Sequence, residues 1–182
     1  MKKVFSVVAS ALMLVASAQA ADVKSGLQVG DSPAPFNVLD VTGPQAGEKL
    51  CYRCKYGSRP VVSIFTRKMD DKVAKLVKEI DGVVGKNEEN KMAAFVVLLT
   101  DTPEGAEAGL KKTAESNKIT HTPLTVFENS VGPADYKIDK NAEITVMMWV
   151  DSNVKVNKVL TEKELSEDAI KKVAAETKAI LE

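Results

Sequence analysis

The sequence is short of the residue types that usually announce a site. Its 182 residues hold one histidine and two cysteines. That is too few for a tetrahedral zinc site within one chain unless carboxylates or a second chain contribute. Charge of one sign is missing as well. Lys and Arg number 25, Asp and Glu number 25, so no large field exists to hold nucleic acid or an anionic membrane. Ten glycines and seven prolines are ordinary numbers and exclude collagen-like and low-complexity chains. No P-loop, GxGxxG, GxSxG or HExxH pattern occurs. No cofactor is indicated. What is present is a 45% hydrophobic, neutral chain of a length that suits one domain, with one chemical handle, Cys51-Tyr52-Arg53-Cys54.

The one long apolar run lies at the start. Lys2 and Lys3 precede Val4 to Val15, and Ala18-Gln19-Ala20 follows with the small residues a signal peptidase accepts. The run is too short and too serine-interrupted for a comfortable membrane span. The expected organisation is a signal peptide over 1–20 and one domain over 21–182, exported to the periplasm or medium and off the membrane after cleavage. The mature chain would carry two more acids than bases. An exported address is oxidising, so a cysteine pair there is usually a disulfide.

Hydrophobic patterning gives the elements. Residues 21–27 read as a loose polar lead-in, and 29–36 as a turn-rich segment whose prolines exclude a central strand. Asn37 to Val41 reads as a short edge strand. Val61–Thr66, Ala93–Thr100, Leu124–Phe127 and Ile144–Val150 are apolar runs that read as buried strands. Val154 to Leu160 is a fifth, joined to the fourth by a hairpin connection at Asp151–Asn153. Asp70 to Val84 carries an apolar stripe at Val73, Leu76, Val77, Ile80, Val83 and Val84. It predicts a helix with acids at its positive end and Gly85 as its stop. Thr102-Pro103 opens a second helix running to about Asn117. Thr161 and Glu164 form a capping-box pattern for a last one, with a stripe at Ile170, Val173, Ala174, Thr177, Ile180 and Leu181. Strands alternating with helices call for right-handed crossovers and a sheet covered on both faces, a three-layer α/β/α sandwich. No internal repeat or second domain boundary is visible.

Val29-Gly30-Asp31-Ser32-Pro33-Ala34-Pro35-Phe36 resembles the opening of the thioredoxin-fold redoxins, the peroxiredoxin and TlpA-like group. Phe95 to Asp101, Thr122 to Phe127, Tyr136-Lys137-Ile138 and Ile144 to Asp151 resemble later segments of the same group, so the likeness spans roughly 29–160. It implies a thioredoxin-like sandwich with a central mixed sheet. It also implies a reactive cysteine just after the first core strand, where a helix N-terminus stabilises a thiolate. This chain has Phe65-Thr66-Arg67-Lys68-Met69-Asp70-Asp71 there. A thiol peroxidase or ordinary thioredoxin reaction at that place is excluded, and Met69 or Asp70 is expected to occupy it. Relatives also set a cis-proline opposite the cysteine. Pro123 is one candidate; the other is the position just before Ile144, which holds no proline here. The second is favoured because it leaves Tyr136 and Asp151 where peroxiredoxin-like chains have them.

The cysteine pair stands about ten residues before the first core strand, among Lys49, Arg53, Lys55 and Arg59. Four cations favour thiolate and predict a lowered cysteine pKa, while no helix N-terminus is evident at Cys51. Three readings follow. In the first, Cys51 and Cys54 perform dithiol–disulfide exchange with a protein partner, Cys51 attacking by analogy with the first cysteine of CxxC proteins. In the second, they are a structural clip on a non-catalytic redoxin scaffold. As a clip the pair is weak, because a four-residue loop is worth only ~2 kcal/mol in the chain-entropy model. In the third, the two thiolates handle a metal. His121 reads as a loop histidine; Met147, Met148 and Trp149 read as core. Oligomeric state is not legible.

Overall fold

The computed structural model describes residues 23–182; the expected signal peptide lies outside them. Seven strands form one mixed sheet: β1 (Val38–Asp40), β2 (Lys49–Leu50), β3 (Val61–Thr66), β4 (Ala93–Leu99), β5 (Leu124–Phe127), β6 (Ile144–Val150) and β7 (Asn153–Leu160). Their spatial order is β2-β1-β5-β4-β3-β6-β7, with β5, β4 and β3 parallel and the outer pairings antiparallel. Helices are α1 (Tyr52–Tyr56), α2 (Asp71–Lys86), α3 (Pro103–Asn117) and α4 (Glu167–Ala175). This is the expected α/β sandwich, with β4, β3 and β6 adjacent at its centre.

The strands are apolar throughout because both faces are covered, each with its own residues. On one face Val62, Ile64, Val96, Val146 and Met148 pack against Val73, Leu76, Val77 and Ile80 of α2 and Ile170 and Val173 of α4. On the other, Val61, Phe65, Phe95, Met147 and Trp149 pack against Tyr52 and Tyr56 of α1, Leu27 and Tyr136. The alternation within β3 and β4 is the two-residue strand period. The two faces are unequal. The crossovers β3-α2-β4 and β4-α3-β5 advance in one direction, so right-handedness puts both helices on the first face. The second face is closed by α1, by the segment before β1 and by the chain around Tyr136.

Several local expectations are corrected. Residues 25–27 are buried, not a loose lead-in. Ser25 Oγ bonds Thr145 Oγ1 at 2.7 Å, and Asn157 Nδ2 donates to the Ser25 and Leu27 carbonyls. The segment is polar because it is small and hydrogen-bonded. Strand β1 is not at the edge, since two-residue β2 lies outside it. Helix α2 runs through Gly85 to Lys86 and is capped by Asn87. Gly85 instead admits the His121 ring, whose Nε2 would stand 2.9 Å from a Cβ there. The Thr161–Glu164 capping box exists but closes a single 3-10 turn, Glu162–Glu164; α4 starts later, capped by Ser166. The last apolar stripe is therefore carried by α4 and a second 3-10 turn, Glu176–Ile180, which buries Thr177 and Ile180.

Candidate functional site

Two places compete for the site. The first is the start of α2. Asp70 is its N-cap, its carboxylate accepting from the Lys72 and Val73 N–H groups at 3.0 Å each. The helix end that would stabilise a thiolate is thus already occupied by a carboxylate of the chain. The register pairs Thr66 with Ile144, so the chain after β3 faces the residues before β6. Glu143, not Pro123, stands across from it, in line with the favoured alignment. Every described peptide bond is trans. A cleft of about 310 Å³ lies here, lined by Thr66, Arg67, Lys68, Asp70, Glu143 and Glu162. Its polar groups are engaged. Arg67 donates to the carbonyls of Ala142, Ser130 and Asp139. Lys68 lies between Asp70 and Glu162, at 3.8 and 3.6 Å, and the Glu143 carboxylate accepts the Glu162 N–H.

The second place is the cysteine pair. Cys51 and Cys54 form a disulfide. Contrary to the sequence expectation, a helix does begin there. Cys51 is the N-cap of α1, and its Sγ accepts the Cys54 N–H at 3.0 Å. A five-residue helix is too short for its periodicity to show. It persists because Tyr52 and Tyr56, four apart on one face, are buried against the Phe95 ring. The opposite face carries Cys51, half-buried, and Cys54 and Lys55, both exposed.

The anchor beneath α1 is Asp40, which sequence reading missed. It is fully buried at the end of β1, and its carboxylate accepts the Gly43 and Gln45 N–H groups and the Tyr52 hydroxyl, all within 2.9 Å. Burial, reinforced by this bond to Asp40, raises the Tyr52 pKa far above that of a free phenol. Gly43 belongs to the same knot, since a Cβ there would overlap the Tyr52 hydroxyl and the Asp40 carboxylate. The only sequence signal was Asp40-Val41-Thr42-Gly43-Pro44, an acid ahead of a turn.

The four cations do not gather on the sulfurs. Lys49 pairs with Glu128 at 3.0 Å. Arg53 donates to the Pro33 carbonyl and Ser152 Oγ. Lys55 donates to Gln45 Oε1. Arg59 donates to the Lys91 carbonyl and lies over the Tyr56 ring. The expected cation cluster is therefore corrected: the local stabiliser of a Cys51 thiolate is the Cys54 N–H. Among the described residues no three His, Cys, Asp or Glu side chains come together as a metal site. His121 is a loop residue, its Nδ1 at 3.3 Å from Glu88. Met147, Met148 and Trp149 are fully buried core.

No family model matches the chain, and no curated protein matches it by sequence. Solved structures do. A candidate protein disulfide isomerase from Bacteroides thetaiotaomicron superposes with a TM-score of 0.64 at 15% identity, covering 87% of this chain and 94% of that one. A candidate thiol:disulfide interchange protein DsbE from Chlorobium tepidum gives 0.65 at 13% identity, covering 86% and 99%. The mitochondrial 2-Cys peroxiredoxin from Plasmodium falciparum gives 0.61 at 8% identity, covering 85% and 94%. The fold is thioredoxin-like, and it carries a CxxC disulfide.

Proposed function

We propose that the protein is exported and that its Cys51–Cys54 pair exchanges with a protein partner, as the dithiol against a partner disulfide or as the disulfide against a partner dithiol. The observation that carries this reading is the sulfur hydrogen bond at an exposed helix start: a Cys51 thiolate would keep the Cys54 N–H as donor. The names of two similar folds, an interchange protein and a disulfide isomerase, point the same way. In the reducing direction the Cys51 thiolate attacks one sulfur of the partner disulfide. A mixed disulfide forms and the partner's other sulfur leaves as thiolate, taking a proton from water. Cys54 then loses its proton and attacks Cys51 Sγ. The Cys51–Cys54 bond reforms and the second partner thiolate is released. The dithiol is oxidised and the partner disulfide reduced.

The competing reading is a clip on a binding scaffold, favoured by the engagement of all four cations elsewhere. Equilibration with glutathione redox buffers, read by thiol trapping, separates the two. Exchange requires a potential well above about −300 mV, below which structural disulfides of secreted proteins typically fall. It also requires that Cys51→Ser abolish disulfide reduction of an added substrate, with Cys54→Ser trapping the mixed species. A pair that stays oxidised in millimolar glutathione leaves the clip. Export is checked by intact mass of protein secreted from a host: a chain starting at Ala21 is expected, and a retained Met1 rules it out.

A further inference from the structure

Strand β2 is the outer strand of the sheet, and it runs straight into Cys51. Its register pairs Leu50 with Val38 and Lys49 with Leu39, and the Asp40 N–H donates to the Glu48 carbonyl at 2.9 Å. Leu39 is paired on its other side with Val126 of β5. Successive residues of a strand turn their main-chain groups to opposite edges. Glu48 and Leu50 therefore bond inward to β1, while Lys49 and Cys51 turn their groups outward. The turn before β2 uses its own amides: Ala46, Gly47 and Glu48 donate to the carbonyls of Gly43, Asp40 and Gln45. After that turn the edge is open. Among the described residues the Lys49 N–H, the Lys49 carbonyl and the Cys51 N–H have no partner, and the Cys51 carbonyl accepts the Lys55 N–H at 2.9 Å. Lys49 is exposed, and its ammonium is held by Glu128 at 3.0 Å.

The opposite edge of the sheet is closed where it begins. At β7 the Val154 carbonyl accepts the Gly30 N–H, and the Val154 N–H donates to the Asp31 carbonyl. Asn157 is turned to the Ser25 and Leu27 carbonyls. Proteins cover or blunt such edges because an open one pairs with other chains. Strand β2 leaves a donor and an acceptor on one residue, two positions from Cys51. That is what an added antiparallel strand needs. A partner residue opposite Lys49 exchanges both bonds with it, and the partner residue two places earlier falls opposite Cys51. Opposed Cα atoms in such a hydrogen-bonded pair lie about 5.5 Å apart, inside the roughly 4.4–6.8 Å that a disulfide spans. So short an open edge forms few bonds, which suits a partner that must leave after the exchange.

We propose that β2 is the docking strand for the redox partner. An extended segment of the partner adds antiparallel to Lys49 and Cys51, and its cysteine, placed opposite Cys51, is the one that forms the mixed disulfide. The inference rests on the exchange reading of Cys51–Cys54 and names the form of partner it takes. When the partner enters as a disulfide, the Cys51 thiolate attacks that cysteine's sulfur, the partner's S–S bond breaks and its other sulfur leaves as thiolate. The probe is the homodisulfide of a blocked heptapeptide, three threonines on each side of one cysteine. Its rate with the reduced protein is compared with that of 2-hydroxyethyl disulfide, which has no peptide main chain. The peptide residue two after the cysteine donates to the Lys49 carbonyl; the residue one after points its N–H away from the sheet. N-methylation at the second position should slow exchange about fivefold, the scale of one lost hydrogen bond, and at the first should leave it within about twofold. Lys49→Pro removes the outward N–H where an edge strand tolerates proline, and should cut the peptide rate relative to hydroxyethyl disulfide about fivefold. Glu128→Gln, which breaks the Lys49 ion pair without touching the main chain, should leave that ratio unchanged. The peptide comparison uses the wild-type chain, so it decides even if Lys49→Pro does not fold. Equal rates for the two N-methylated peptides, an unchanged ratio in Lys49→Pro, or an inert peptide where hydroxyethyl disulfide reacts overturns the docking strand and leaves the exchange reading standing. A reduced protein that reacts with neither disulfide ends the exchange reading itself, and the docking strand with it.

Discussion

The starts of α1 and α2 divide between them what a thioredoxin-like site normally combines. Helix α2 has sixteen residues and a full set of aligned peptide dipoles, and its N-cap is a carboxylate, Asp70. Helix α1 has five residues and little dipole of its own, and its N-cap is a sulfur, Cys51. The long helix has the field but no cysteine; the short one has the cysteine pair, with a single N–H donor on Cys51 Sγ. A CxxC pair can therefore be moved to another helix start only if something other than helix length holds that start in place. Here it is two buried tyrosines and Asp40.

Four measurements would break or sharpen this contrast. The largest effect is expected in alkali. Tyr52, Tyr56 and Tyr136 all have pKa values raised mainly by burial. The folded chain holds these protons more tightly than the unfolded chain, so their contribution is full below pH 10 and falls as pH rises toward the folded values. Each phenol costs ~1.4 kcal/mol per pH unit above about 10, or about 4 kcal/mol for the three at pH 11. Denaturant titrations at pH 9 and 11, with phenolate absorbance followed in parallel, should show unfolding and ionisation together; free titration of the tyrosines in a folded protein would remove the anchor from under α1.

Next is Asp40→Ala. It strands one hydroxyl and two N–H groups at about 1–3 kcal/mol each if they stay dry, so a loss of about 3 kcal/mol is expected in urea denaturation. The Cys51–Cys54 pair should also become easier to reduce as α1 loosens. A stable Asp40→Ala protein with an unaltered potential would show that α1 stands without its anchor. Removing the disulfide through the Cys51→Ser, Cys54→Ser double variant should cost less, about 2 kcal/mol or below, since the closed loop is short. A loss nearer 5 kcal/mol would favour the clip. The smallest effect belongs to the other helix. Asp70→Ala should cost about 1 kcal/mol as a lost N-cap and leave the Cys51–Cys54 potential where it was. A shifted potential would mean that the two helix starts are coupled.

The long elements were legible. Val61–Thr66 and Leu124–Phe127 have the boundaries their apolar runs dictate, and Asp70 caps α2 as an acid ahead of a 3.6-period stripe should. The site was half legible. Cys51 and Cys54 declare themselves as a pair by spacing. The helix beneath them did not show, because Tyr52 and Tyr56 are two aromatics in a stretch with no period to measure. The cations misled for a related reason. Lys49, Arg53, Lys55 and Arg59 are close to the sulfurs in sequence, but their long side chains reach Glu128, Ser152, Gln45 and Lys91.

The sequence by itself determined what is periodic or local: the buried strands, the long helices, a disulfide between cysteines three apart, and the missing cysteine at the start of α2. Tertiary structure decided what depends on residues far apart meeting. It placed Glu143 rather than Pro123 opposite the chain that follows β3, put Asp40 under Tyr52 and drew the cations off the sulfurs. Short-range pattern encodes which face of an element is apolar; which polar group finds a partner is settled only when the chain has folded and desolvation makes an unpaired group costly.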